Sequence, residues 1–422
     1  MSIRPKIAPH SFLRNVLTLI FGTSIAQIIP IIASPLLTRL YTPEDFGVFA
    51  VFLALATMLA SVANLRYELA IMLPEGDDEA FALCVLGFLI STFVSILSLL
   101  PIIAFNEGIS RLLGNRDIAR WLYLIPIYIF LSGLFNVLSY YNSRNKRYKD
   151  LAFANIAKSF FLVILQLGYT LFANGPGGLI IGQTFSVGAS NAKLLRNALQ
   201  NKNNKNLFSL AGLRRLAVRY KNFPLYSMPA IFANTLSNNI VSLLISSFYS
   251  ISILGQYALV QRVMGMPMSL LGTSISQVYF QQATSEKNLT GTAANTFSYT
   301  LKKLFFFGTP LFIGFYFLAE PLFSFIFGEE WRSAGHYASI LAPLFWSRFI
   351  VTTLSITNSI FEKQKLSLAW QFGLLILSSA IITVSYYSDS SFNTFLWLFS
   401  ISISVYYLIL LLILYRVSRG LL

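Results

Sequence analysis

Two stretches decide how this chain is built: Phe81–Leu100 (FALCVLGFLISTFVSILSLL) and Leu396–Leu414 (LWLFSISISVYYLILLLIL), neither with a charged side chain. A helix that crosses a bilayer needs roughly 20 mostly apolar residues. The strand of a membrane barrel would instead alternate apolar and polar over about ten. Both stretches are apolar on every side, and hydrocarbon offers a bare N–H no partner, so helices are the solution that satisfies their backbones.

Applied outward, the same ruler yields twelve spans: 15–38, 47–66, 81–105, 120–141, 151–173, 177–199, 223–247, 255–280, 299–319, 335–360, 366–387 and 392–415. Composition points the same way. Of 422 residues, 55% are hydrophobic and 11% charged, against about 25% charged in an average soluble domain. A lone cysteine (Cys84) excludes a disulfide framework, and two distant histidines (His10, His336) offer no metal cluster, so no cofactor is expected. The net charge of +15 is set among long apolar runs, which speaks against nucleic acid as partner. The first span is too long for a cleaved signal sequence and contains Pro30 and Pro35, so its retention is expected.

Positive charge sets the orientation. With the N-terminus in the cytoplasm, 23 Lys and Arg fall on the cytoplasmic side and 5 (Arg39, Arg111, Arg116, Arg120, Arg332) on the outer side. Both termini are therefore expected to be cytoplasmic. The basic stretch 200–222 divides the chain into six-span halves, 1–199 and 223–422. Each half opens around a similar turn, Tyr41-TPED-Phe46-Gly47-Val48-Phe49-Ala50 and Tyr249-SISI-Leu254-Gly255-Gln256-Tyr257-Ala258, 208 residues apart. Six spans per half would give both halves one orientation, a parallel repeat of the kind found in transporters that hold substrate between like halves.

Polar side chains at helical spacing mark faces turned away from lipid. They include Gln27 in the first span, Asn64 and Glu68 around the end of the second, Asn136 in the fourth and Asn155 in the fifth. Asn234 and Asn238 lie in the seventh, Thr273 and Gln277 in the eighth, and Thr352 with Ser355 in the tenth. Such residues also serve simply to glue helices together. Three cations lie inside spans: Lys158, Arg262 and Arg348. On insertion scales each costs about 2.5–3.5 kcal/mol at the bilayer centre, and no acid lies at comparable depth. Arg348 is near mid-span, Arg262 about 10 Å from the outer end of its helix, and Lys158 within snorkelling reach of the cytoplasmic end. Together they suit an anionic cargo such as a phosphate-bearing lipid.

The runs SPLLTRLYTPEDFGVFAVF (34–52) and NLRYELAIMLPEGDDEA (64–80), with the outer Gly328–Trp331 (GEEW), resemble bacterial polysaccharide-biosynthesis flippases. These are the O-antigen and exopolysaccharide (Wzx-type) translocases of the MOP exporter superfamily. The resemblance implies an all-α polytopic membrane protein, with two six-helix bundles forming a V-shaped central cavity. It implies transfer of an undecaprenyl-pyrophosphate-linked oligosaccharide from the cytoplasmic to the periplasmic leaflet of the inner membrane, by alternating access. Proton or sodium counter-transport, with Glu68 a candidate for ion coupling, is implied as well. So are membrane lipids, a polysaccharide polymerase and a chain-length regulator as partners. Carried onto this chain, the cationic substrate site is Arg348, Arg262 and Lys158, with Arg39 and Arg66 at its rim. Arg66 and Glu68, two apart on a helix, are expected to face different ways and not to pair.

Rival readings remain at this stage. A cation-coupled multidrug exporter of the same superfamily would require a membrane-buried carboxylate, and the first span has none. A fourteen-span peptidoglycan-precursor flippase would require two more spans. A membrane polymerase or ligase would require acid–base groups on a sizeable outer loop. Only Glu107, Asp117, Glu320, Glu329, Glu330 and His336 are near the short outer loops.

Overall fold

In the computed structural model, residues 9–200 and 210–421 are described, with side chains from 21–200 and 211–421. Arg4, Lys6, Lys202 and Lys205, and the side chains of His10 and Arg14, lie outside that set. Every regular element among the described residues is helical. By packing, the chain divides into two units: Met1–Tyr41 with Val48–Asn239, and Thr42–Gly47 with Ile240–Leu422.

The first unit begins with α1 (Pro9–Ile32) and α2 (Ser34–Leu40). They are separated at Ala33 because Pro35 cannot donate into the preceding turn. Then follow α3 (Pro43–Ala60), whose first turn packs with the second unit, α4 (Tyr67–Ala70), α5 (Asp77–Leu112) and α6 (Ala119–Leu122). After them come α7 (Ile125–Arg144), α8 (Tyr148–Tyr169), α9 (Gly177–Gln200) and α10 (Leu210–Arg219). Helix α8 lies along α1 and α9, and α7 along α5 and α9. Small residues permit close approach, as where Gly22 meets Ala152.

Helix α11 (Met228–Phe248) leads into the second unit, preceded by a π turn at Phe223–Ser227. Next come α12 (Ile251–Met264), a π turn at Met268–Gly272, and α13 (Thr273–Thr290). The unit ends with α14 (Ala294–Phe327), α15 (Arg332–Leu354), α16 (Thr357–Ile360), α17 (Gln364–Tyr387) and α18 (Phe392–Ser418). Helix α15 is its axis, packed against α12, α14 and α18 and buried over much of its length.

Ten helices among the described residues are long and apolar enough to cross a membrane. The two other expected spans, 177–199 and 255–280, are helical but more polar. Helix α9 carries Gln183, Asn191 and Lys193, and the second stretch is broken by the π turn. Large apolar side chains such as Phe93, Ile96, Phe306, Phe317 and Ile376 stand exposed along the helices, the reverse of a water-facing surface. This is an all-α, multi-pass membrane protein.

The two motif glycines have a packing reason. A Cβ on Gly47 would collide with the Ile251 carbonyl oxygen, and one on Gly255 with that of Pro43. Beside them the Phe46 ring meets Trp331 edge-on at 4.9 Å, and Gln256 Nε2 donates to Glu330 O at 2.8 Å. The PEDFG and GEEW runs are thus parts of one packed cluster in the second unit.

Candidate functional site

In the second unit, α12, the π turn, α13 and α15 line an open cavity of about 620 Å³. Gln261, Ser269, Thr273, Ser276 and Gln277 line one side, and Phe345, Arg348, Thr352 and Thr353 the other. Three of the expected site residues, Arg348, Thr273 and Gln277, therefore share one space. Arg348 projects from α15, which is held rigid by neighbours on several sides. Its Nε is buried without a hydrogen-bond partner, and it forms no ion pair with a carboxylate among the described residues. A half-buried guanidinium beside hydroxyls and amides retains donors for an anionic or sugar oxygen.

Gln261, Ser276 and Thr353 were not singled out by the spacing of polar residues. The Met268–Gly272 turn bonds i to i+5 rather than i to i+4, which rotates the two halves of the span against each other. A uniform helical period starting at Arg262 therefore misses Gln261. A glycine pair around Pro267 (Gly265, Gly272) was the available cue. Arg262 itself is half-buried and outside the lining of this cavity.

The first unit holds the other expected residues. Lys158 is half-buried on α8, with its ammonium 5.3 Å from the centre of the Phe135 ring and no carboxylate partner among the described residues. Asn155 and Asn136 are half-buried on the same two helices. Gln27 is exposed on α1 and Arg39 on α2. Asn64 is buried and donates to Gly87 O at 3.0 Å, so it pins α5 rather than facing open space. Midway along α11, Asn238 Nδ2 donates to Asn234 Oδ1 at 2.8 Å.

Arg66 and Glu68 do pair, contrary to the expectation from helical spacing: Arg66 Nη1 is 3.1 Å from Glu68 Oε1. The span ends at Ala60, and Leu65 and Arg66 take positive φ (48° and 67°), so the two are not on a continuous helix. Non-glycine residues in that region carry strain. Glu68 is 3% exposed, and its Oε2 has no hydrogen-bond partner. Burial pushes its carboxyl above the ordinary value, against the opposing pull of its own backbone hydrogen bond and of Arg66.

A model of the family described as polysaccharide biosynthesis protein matches residues 36–335. The chain belongs to that family. A relative, the succinoglycan biosynthesis transport protein ExoT of Rhizobium meliloti (strain 1021), is 23% identical over 322 residues. The match covers 73% of this chain and 61% of that relative, so the chain spans under two thirds of the relative's length. Among solved structures, the lipid II flippase MurJ in an inward closed conformation has a TM-score of 0.69 at 14% identity, covering 97% of this chain and 87% of its own. An inward-facing multidrug resistance MATE family transporter of the MOP superfamily has a TM-score of 0.65 at 12% identity, covering 96% and 94%. The family member thus has the fold of MOP-superfamily transporters.

Proposed function

We propose that this protein moves an undecaprenyl-pyrophosphate-linked oligosaccharide from the cytoplasmic to the periplasmic leaflet of the bacterial inner membrane, for O-antigen, capsule or exopolysaccharide assembly. The observation that carries the reading is Arg348: a cation without a carboxylate partner among the described residues, lining a cavity with hydroxyls, amides, Met268 and Phe345. In a low-dielectric surround such a charge favours an anion and disfavours a cationic drug. Lys158 and Arg262 are further anion acceptors along the route, with Arg39 and Arg66 nearer its ends. Alternating access of the two like halves, 1–199 and 223–422, supplies the movement. Glu68, buried against Arg66, is the candidate for coupling to a proton. The protein's setting among membrane lipids, a polymerase and a chain-length regulator belongs to the same reading.

A deletion strain tests it. Lipid-linked repeat units should accumulate on the cytoplasmic leaflet, scored by their protection from an externally added sugar-oxidising reagent. Single unpolymerised units on the outer face would instead mean that the chain acts after translocation.

A further inference from the structure

Helix α10, in the loop between the sixth and seventh expected spans, is amphipathic with an unusual division of faces. Leu213, Leu216 and Tyr220, at helical spacing, are buried in a core shared with Tyr67, Ile71 and Leu83. Two polar contacts fix this docking: Tyr67 Oη donates to Ala217 O at 2.9 Å, and Arg219 Nη1 to Glu79 Oε2 at 3.1 Å. Glu79 stands in the first turn of α5, a membrane-spanning helix, which sets α10 at the level where hydrocarbon gives way to water.

The opposite face is open. Arg214 and Arg215 are exposed, and neither meets a carboxylate among the described residues. Between them, on the same side of the helix, Val218 is 58% exposed. An apolar residue flanked by two long cationic side chains, held at the interface, matches the layering of a lipid leaflet: acyl chains below, phosphates at guanidinium height.

We infer that the Arg214–Val218–Arg215 face of α10 binds the headgroup phosphates of anionic glycerophospholipids. The contact is electrostatic and reads charge rather than shape, as expected of basic residues beside an anionic leaflet. It stands independently of which cargo the protein carries.

The test uses the full-length protein in detergent, titrated with phosphatidylglycerol or phosphatidylcholine and followed by retained lipid in native mass spectrometry and by thermal unfolding. Phosphatidylglycerol should be retained preferentially. Arg214→Gln with Arg215→Gln should weaken that retention about fivefold per arginine, less at high salt. Unfolding in phosphatidylcholine should stay as in the parent, which shows that the variant folds. Arg214→Lys with Arg215→Lys should keep most of the binding. Unchanged retention in the glutamine variant overturns the inference. So does loss in the lysine variant, which would indicate a partner protein reading the guanidinium fork. Equal weakening by Arg111→Gln with Arg116→Gln would mean general charge and also overturn it, as would full competition by free glycerol phosphate.

Discussion

Arg348 is the residue on which the transport reading turns. Its replacement by alanine should abolish surface-polysaccharide assembly at unchanged abundance in the membrane, measured by polysaccharide gels beside immunoblots. Lysine at the same position should keep partial function if a point charge suffices, and lose it if the phosphate takes a two-pronged grip. Arg348 was legible in the sequence because a charge inside an apolar run is costly and so conspicuous. Gln261 was not, because, two turns before a π turn that shifts the helical register, it looks like any polar residue on the wrong face. The Arg66–Glu68 pair was misread for a related reason: positive φ at two non-glycine residues leaves no mark in the sequence. That pair yields its own expectation. Arg66→Ala strands a buried carboxylate and should cost about 3 kcal/mol of stability, whereas adding Glu68→Gln should restore most of it. Chemical unfolding of the single and double variants in detergent checks this.

Among the elements, the joint between α13 and α14 is capped by a carboxylate, beside the edge-on Tyr279 and Phe297 rings. Glu286 accepts hydrogen bonds from the backbone N–H groups of Asn295 (3.0 Å) and Thr296 (2.8 Å), in the first turn of α14. Burial would raise this carboxyl, yet the hydrogen bonds from Thr296 and Asn295 outweigh it and hold the group below its ordinary value near 4.5. A group depressed in the folded state stabilises fully above its unfolded value, and that contribution is lost as pH falls through the lower folded value. Lowering the pH from about 6 to about 3 should therefore reduce the parent's unfolding temperature more than that of Glu286→Gln. An identical slope in the two would rule out the cap as an acid-sensitive joint. Span positions were largely legible because a run of apolar residues and a stretch of hydrocarbon have the same length. Breaks within spans were less so. The first span was read as one helix, 15–38, through both Pro30 and Pro35, yet it stays helical across Pro30 and divides at Ala33, while Met268–Gly272 contains no residue that demands a π turn.

For the whole molecule, the imbalance of basic residues sets an expected orientation with both termini in the cytoplasm. A fluorescent reporter fused at the C-terminus should light up, and an alkaline phosphatase fusion there should stay inactive; the converse pattern would invert the topology. The division into two units was only partly foreseeable. Basic charge marks a junction near 200–222, but packing assigns residues up to Asn239 to the first unit and moves Thr42–Gly47 into the second. No local property of a six-residue stretch announces which neighbour it will join, because that depends on complementary surfaces hundreds of positions away.

That small exchange has a genetic corollary. A gene cut at codon 240 would produce a C-terminal polypeptide missing the piece that fits over Gly255 and Trp331, so the fragment should be proteolysed when made alone. Restored abundance upon co-production of the N-terminal polypeptide would then be a sign of complementation in trans, with the first fragment acting as a steric chaperone for the second.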